Sequence, residues 1–398
     1  MSTSTRWWPG TRPSAIGLLQ RAAFVATFDR FVMPPMLVAI AHDLHASLDS
    51  VVLAAGAYFL VYGLSQPLWG VVSDRFGRVT TMRVTLFLAG ICSMASAAAG
   101  TALVLAVARG LAGGLFGATY PAALIYLGDT VRVEVRQRDV TRLMVGVALG
   151  TALASVGAGI VADLLSWRVM FVVTGLAAVV LAVRLRALPE PTREHLGGTF
   201  LRPIGYVGRS PVTLFVLLCA LAEGAVLLGT ITLLPPAMEH AGASTAIAGL
   251  ATGVYGASVF AFSRFVGNLS QRWQPARLII LGAVAAVLAC VVLAWSQEVA
   301  AGVTAAVLLG LAWTAMHSTL QTWATEVLPP ARATVVSFFA GSLFVGSSLA
   351  AVVASGLAGD GRYGVLFAAS AVLAVPLGVA AAAVRARWEP AGPSVARH

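Results

Sequence analysis

The sequence contains no lysine and few charged residues of either sign. All 26 basic residues are arginine, against 16 aspartates and glutamates, and only 11% of the 398 residues are charged. Soluble domains carry roughly 25% charged residues, so this composition excludes an ordinary soluble protein. A hydrophobic share of 59% and a mean hydropathy of +0.87 indicate that most of the surface does not face water. The composition therefore predicts a membrane protein.

Cysteine is also scarce, and familiar enzyme motifs are missing. Cys92, Cys219 and Cys290 lie inside apolar runs without metal or disulfide spacing, so we expect them to be small core residues. No HExxH, GxSxG or Walker pattern occurs, and we expect neither an enzyme nor a metal or organic cofactor. The net charge of +10 does not predict nucleic-acid binding, because the arginines fall in short gaps between apolar runs.

Long apolar runs divide the chain into twelve segments. Each has about 20 residues or more, enough for a helix to cross a hydrocarbon core of ~30 Å, and helices satisfy their own backbone polar groups. We predict an all-α membrane protein with twelve transmembrane helices, without a cleavable signal peptide. Only Gly100 and Thr101 mark the turn between the third and fourth runs. The runs are 17–40, 51–71, 80–99, 102–127, 143–165, 168–188, 212–235, 245–266, 277–295, 299–322, 333–357 and 363–384.

The arginines predict which side of the membrane each loop faces. If the N-terminus lies inside, 20 of the 26 arginines fall in cytoplasmic segments, and the outer loops hold only Arg168 and Arg362. This bias predicts that both termini are cytoplasmic. We expect a multi-pass protein of the cell (inner) membrane.

A polar stretch at 189–211, with five charges and four prolines, separates the sixth and seventh runs. It predicts a cytoplasmic linker between an N-terminal six-helix half at 1–188 and a C-terminal six-helix half at 212–398. Three patterns of the first half recur in the same order in the second, which indicates a duplication. These are Gly70–Arg75 with Gly267–Arg272, Tyr126–Asp129 with Trp323–Glu326, and Pro34–Pro35 with Pro235–Pro236.

A charged loop at 70–83 joins the second and third runs. Together with the six-plus-six arrangement, it resembles the signature G-x-x-x-D-R-x-G-R between helices 2 and 3 of the major facilitator superfamily. The resemblance implies a transporter that works by alternating access, in which this loop latches the two halves together on the cytoplasmic side. Asp74 can also face a helix N-terminus, where a negative charge is favoured by ~0.3–1 kcal/mol. The alternative is that these charges only set topology. The predicted gate residues are Gly70, Asp74, Arg75, Gly77, Arg78 and Arg83.

Four ionisable residues, Asp29, Arg109, Glu223 and His317, lie within the first, fourth, seventh and tenth runs. A charge near the bilayer centre costs at least ~2.5–3.5 kcal/mol, which makes each of them a functional candidate. In the resembled fold these four helices line a central cavity, and an apolar cavity favours an uncharged carboxyl group. We predict that Asp29, Arg109 and Glu223 couple proton movement to transport, and that Asp29 pairs with Arg109 in the empty cavity.

Several further side chains are candidates for lining the substrate cavity. Packing and interfacial belts explain many such aromatic residues, and Asp29 could instead neutralise Arg30. His317 could also simply bridge helices. The predicted cavity residues are Arg30, His317, Trp313, Tyr62, Tyr120 and Phe28.

Within the superfamily, the chain resembles the twelve-helix drug/proton antiporter branch. It implies proton-driven efflux of small amphipathic or drug-like molecules by a monomer in the bilayer, with the proton gradient as the energy source. One departure is Thr151, which stands where the antiporter signature of the fifth helix has a proline after Gly150. The alternatives are a proton-coupled importer of a small metabolite, such as an organic acid bound by Arg30 and Arg109, and a non-transporting membrane receptor.

Overall fold

A computed structural model of the chain describes residues 12–131, 133–191 and 201–389. Within these ranges, twelve helices are long and apolar enough to cross a membrane. The predicted twelve-helix fold is confirmed, including the break at Gly100 and Thr101. The helices are α1 (Ala15–Asp43), α2 (Leu48–Phe76), α3 (Arg78–Ala97), α4 (Ala102–Thr130), α5 (Arg138–Leu164), α6 (Trp167–Ala187), α7 (Pro211–His240), α8 (Thr245–Ser270), α9 (Pro275–Trp295), α10 (Val299–Glu326), α11 (Pro329–Gly359) and α12 (Tyr363–Arg387).

The outer surface of the bundle carries many large apolar side chains. Val353, Leu103 and Val372 are each more than 70% exposed. A surface of this kind is stable in contact with lipid and unstable in water. The chain is a multi-pass membrane protein.

The two sets of six helices pack in the same pattern. In the first set, α1 packs against α5, α2 against α4, and α3 against α6. In the second set, α7 packs against α11, α8 against α10, and α9 against α12. Each pair in the first set therefore has a counterpart six helices later, which is the packing that a duplicated six-helix unit produces.

The predicted linker at 189–211 contains a short helix, Leu201–Arg209, which packs against α7 and α11. Residues 192–200 of the linker lie outside the described residues. The boundaries of the two predicted halves stay a prediction.

The most extensive contacts between the two sets, among the described residues, are those of α2 with α11 and of α5 with α8. We call the end of the bundle that carries residues 70–83 the motif end, and the opposite end the far end. Glycines allow the backbones of these helices to approach closely from the far end towards the middle. A Cβ added to Gly249 of α8 would lie 2.5 Å from the carbonyl oxygen of Ser155 on α5. A Cβ added to Gly63 of α2 would lie 2.7 Å from the carbonyl oxygen of Gly341 on α11. Such small residues permit close helix contact, and the far end is closed.

Four helices are interrupted near the middle of the bundle. A 3₁₀ turn at Pro34–Met36 breaks α1, and α4 is interrupted between Phe116 and Thr119. Single π-helical turns occur at Gly224–Leu228 in α7 and at Trp313–His317 in α10. Such π-helical turns are frequent at functional sites. The interruptions fall in the same four helices that carry the predicted intramembrane charges.

Candidate functional site

Asp29 on α1 and Arg109 on α4 form a buried ion pair. Arg109 Nη2 donates to Asp29 Oδ2 at 2.9 Å, and Arg109 Nη1 donates to Asp29 Oδ1 at 3.2 Å. Arg109 Nη2 also donates to the backbone carbonyl of Asp29 at 2.9 Å. The two side chains are 0% and 1% exposed. The contact that the sequence predicts is present, and two parallel hydrogen bonds fix its geometry.

Two hydroxyl groups complete the surroundings of Asp29. Ser93 on α3 donates to Asp29 Oδ1 at 2.8 Å, and Thr174 Oγ1 on α6 lies 3.2 Å from the same oxygen. Aromatic rings cover the other partner, because the Arg109 guanidinium lies 4.5 Å from the Tyr58 ring centroid and 4.7 Å from that of Phe171. A buried ion pair is tolerated only when its remaining polar atoms find partners.

Ser93 and Thr174 were not predicted as site residues. Each is a single small polar residue within an apolar run, and nothing in the local spacing of either one points towards Asp29. Their positions follow from the packing of α3 against α6.

A second acid–base pair joins α7 and α10. His317 Nδ1 lies 3.2 Å from Glu223 Oε2, and the two side chains are 9% and 0% exposed. Trp313 stacks on the His317 ring with centroids 3.8 Å apart, and Phe339 lies 5.8 Å away. Glu223 immediately precedes the π-helical turn of α7, while His317 ends that of α10. The first and fourth helices of each half thus share one buried acid–base pair.

Arg30 on α1 contacts aromatic residues from both halves. It donates to the Tyr62 hydroxyl, and its guanidinium lies 4.3 Å from the Tyr62 ring centroid and 4.9 Å from that of Phe344 on α11. Among the described residues, no carboxylate lies within 4.0 Å of Arg30. Asp29 instead binds Arg109, so the alternative in which Asp29 neutralises Arg30 is wrong. Phe344 was not predicted.

The other two predicted cavity residues contact α5. Tyr120 is half-buried, and its hydroxyl lies 3.6 Å from the sulfur of Met144. Phe28 packs beside Phe24 at 5.6 Å and faces Gly157, where an added Cβ would lie 3.8 Å from the Phe28 ring. The structure therefore groups Arg30 with Tyr62, and places Trp313 with His317.

In the predicted gate loop, Arg78 binds two acids of the first half. Arg78 pairs with Asp74, and its Nε lies 3.2 Å from Asp129 Oδ2 at the end of α4. Gly77 has φ +104°, a backbone conformation that favours glycine, and it separates α2 from α3. A latch between the halves stays a prediction. The remaining gate residues lie on α2 and α3, namely Gly70, Arg75 and Arg83.

The N-terminus of α3 binds an acid that was not predicted to lie there. The backbone N–H groups of Val79 and Thr80 donate to the Glu190 carboxylate at 3.1 and 3.0 Å. Negative charge is stabilised at a helix N-terminus. Asp74 was expected to serve such a terminus, yet it binds Arg78 while Glu190 caps α3. Glu190 is distant in sequence, so no local pattern reveals this contact.

The second half has an acid that corresponds to Asp129, but this acid binds an arginine from a different helix. Glu326, the counterpart of Asp129, accepts from Arg385 of α12 at 3.0 Å. Arg385 lies 5.5 Å from the Trp323 ring centroid. Pro275 occupies the position that corresponds to Arg78 at the repeat offset, so the second half draws its arginine from another helix. The two repeats are therefore not equivalent at the motif end.

Comparison with known proteins places these features in a family. The family described as Major Facilitator Superfamily matches residues 22–344, and a second, overlapping match covers 229–397. The fold is similar to that of a bacterial homolog of the human lysosomal transporter Spinster, with a TM-score of 0.78 and 17% sequence identity. That likeness covers 96% of this chain and 100% of the other.

Two relatives are similar over shorter segments. Over 173 residues the chain is 31% identical to an MFS-type efflux pump of Mycolicibacterium smegmatis, covering 42% of this chain and 40% of that protein. Over 143 residues it is 31% identical to the 4-hydroxybenzoate transporter PcaK of Pseudomonas aeruginosa, covering 36% of this chain and 32% of that protein. The matches thus span less than half the length of either relative.

Proposed function

The chain belongs to the major facilitator superfamily, and from this premise we propose that it is a secondary active transporter that exports small amphipathic molecules in exchange for protons. The observation that carries the proposal is the buried pair of Asp29 and Arg109, held in the middle of a twelve-helix bundle. Buried ionisable groups at membrane depth are costly, and in transporters they lie on the paths of protons and substrates.

Asp29 is suited to carry a proton because its charge decides whether Arg109 has a counter-ion. When it is ionised, Arg109 neutralises it, and Ser93 donates to one of its oxygens. When it is protonated, the Arg109 charge loses its counter-ion in a low-dielectric environment. The protonated state therefore favours another packing of α1 against α4, and a proton can bias the protein towards its other conformation.

The Glu223–His317 pair gives the second half a buried acid that could also bind and release a proton. One carboxylate oxygen of Glu223, Oε1, has no hydrogen-bond partner among the described residues, although the side chain is fully buried. A buried acceptor without a partner raises the free energy of this arrangement. We propose that Glu223 exchanges a proton with His317 as the conformation changes, which makes it a second coupling group.

We also propose that the motif end is cytoplasmic, since the arginine bias places residues 70–83 inside. The closed far end would then face the outside of the cell membrane, and both termini would lie inside. Alternation would require the contacts of α2 with α11 and of α5 with α8 at the far end to separate. The charged loop would close the motif end at the same time.

Import of an organic acid is the other candidate. In that interpretation both Arg30 and Arg109 bind the substrate carboxylate. Arg109 is neutralised by Asp29 and enclosed by aromatic rings, so a two-arginine site is not formed in this structure. One relative is named as an efflux pump and another as a 4-hydroxybenzoate transporter, and flux measurements decide the direction.

The test is flux in proteoliposomes with an imposed pH gradient. Naphthalenesulfonate and ethidium are suitable probes, because they are amphipathic and keep their charges over the working pH range. Export coupled to protons requires one of the probes to move against the proton flow in vesicles that contain the protein, and not in protein-free vesicles. Movement in the same direction as the protons would support import, whereas flux that is independent of the gradient would refute coupling.

A further inference from the structure

Arg30 differs from the other intramembrane charges in the middle of the bundle. Asp29 pairs with Arg109, and Glu223 pairs with His317. Arg30, in contrast, has no carboxylate in contact with it in the part of the chain that the structure describes. We propose that Arg30, Tyr62 and Phe344 form a subsite for an anionic group, so that the transported molecule is a small organic anion with a planar apolar body. This inference rests on the proposed transport function and specifies its substrate class.

Arg30 is half-buried, and not all of its N–H groups have hydrogen-bond partners. Its Nε is buried and has no hydrogen-bond partner among the described residues. The planar donors of arginine match the two oxygens of a carboxylate or the oxygens of a sulfonate. An intramembrane cation without a protein counter-ion is most stable when a ligand supplies the negative charge.

Tyr62 adds a donor to the same place. Its hydroxyl oxygen accepts from Arg30 Nη2, which leaves its own proton free for another acceptor. An anion beside Arg30 could therefore accept from the guanidinium and from the Tyr62 hydroxyl together. Neither of these donors would favour a cationic ligand.

Aromatic rings provide the apolar surface beside this cation. The Tyr62 and Phe344 rings meet edge to face with centroids 4.4 Å apart, and Phe59 is stacked 6.0 Å from Phe344. Planar ligands pack well against such rings. Because Phe344 belongs to α11 and Tyr62 to α2, a bound anion would contact both halves. Binding of the anion would then bias the equilibrium between the two relative arrangements of the halves.

The far-end side of Arg30 is closed in this structure. A crevice on the far-end side of Arg30, lined by Met33, Pro34 and Phe59, is too narrow to admit a water molecule. The far end itself is closed by contacts between the halves. Neither the crevice nor the far end therefore offers a ligand a path to Arg30 in this conformation.

Three ligands of one shape test the charge preference on the purified full-length protein by titration calorimetry. Benzoate, benzamide and benzylammonium share a ring and carry negative, zero and positive charge. We expect benzoate to bind at least about tenfold more tightly than benzamide, the scale of a hydrogen bond to a charged group. Arg30→Gln should abolish this preference, and Tyr62→Phe should weaken benzoate binding several-fold. Arg264→Gln, at an exposed arginine of α8, is the matched control and should keep it.

If Arg30→Gln cannot be purified, Arg30→Lys is the substitute variant, because lysine retains the positive charge and lacks the planar guanidinium. It should bind benzoate with intermediate affinity. Equal or tighter binding of benzamide or benzylammonium, a preference that persists without Arg30, or no benzoate binding at millimolar concentration would each overturn the subsite. Binding is measured without a gradient, so benzoate binding by a protein that shows no proton-driven flux would refute the transport proposal and leave the subsite standing.

Discussion

Arg109 binds Asp29 across 80 residues of sequence, through hydrogen bonds to both side-chain oxygens and to the backbone carbonyl of the same residue. This contact ties α4 to α1, two helices that are each interrupted near the middle of the bundle. A proton on Asp29 would weaken this contact, because it removes the negative charge that Arg109 binds. The pair is therefore the connection that we propose between proton binding and helix packing.

Removing either partner of this pair should destabilise the protein. Arg109→Gln leaves the Asp29 carboxylate buried without a counter-charge, and such losses cost ~3–5 kcal/mol. Thermal unfolding in detergent should show a large loss for Arg109→Gln and a partial recovery in the Asp29→Asn/Arg109→Gln double variant. Additive losses in the double variant would mean that the two side chains do not interact energetically.

The sequence predicted this contact because charges in apolar runs are rare, and the resembled fold places the first and fourth helices side by side. The twelve spans were predictable for a similar reason, since length and hydropathy alone determine whether a helix can cross the bilayer. Both inferences use properties that are local in the chain.

The parts that sequence reasoning missed depend on packing between distant segments. Ser93 reaches Asp29 only because α3 packs against α6, which in turn contacts α1, and Phe344 reaches Arg30 only because α11 packs against α2. Glu190 caps α3 from 110 residues away. His317 was predicted either as a cavity residue or as a bridge between helices, and in the structure it bridges α10 to Glu223 on α7. No spacing rule anticipates such contacts, because the polar residues involved are isolated in their own segments.

Glu223→Gln should reduce proton coupling while leaving ligand binding largely intact. The substitution removes the titratable carboxyl group and keeps a side chain that can hydrogen-bond to His317. The ratio of gradient-driven to gradient-free flux in proteoliposomes should fall towards one. Glu298→Gln, at an exposed acid just before α10, is the control and should behave as the wild type. An unchanged ratio in Glu223→Gln would remove this residue from the coupling mechanism.

Gly249→Ala should prevent full closure of the far end. An added Cβ would lie 2.5 Å from the Ser155 carbonyl oxygen, so the backbones of α5 and α8 must separate. Spin labels at Ser47 and Asp360, two exposed far-end positions in different halves, should report a longer distance in this variant. Gly356→Ala, where an added Cβ meets no atom within 4 Å, should leave the distance unchanged. Equal distances in both variants would contradict the assignment of this contact as the closed gate.

Asp74→Asn should impair transport far more than Gln271→Ala. Asp74 and Asp129 both contact Arg78, whereas Gln271 lies at the corresponding position in the second half and lines an open pocket with Phe265. Asp74 is 65% exposed on its side chain, and an exposed ion pair contributes at most ~1 kcal/mol, so both variants should fold as the wild type. Equal losses of initial flux rate in the two variants would show that the motif end is not asymmetric.

Proton-driven flux in the Asp29→Asn variant is the most direct measurement of the proposed coupling. Vesicles reconstituted with the wild type should move naphthalenesulfonate or ethidium against an imposed proton gradient, whichever of the two is transported. Vesicles with Asp29→Asn, matched for the amount of folded protein, should show no gradient-dependent flux, because the side chain can no longer bind and release a proton. Gradient-driven flux of wild-type magnitude in Asp29→Asn would contradict the account.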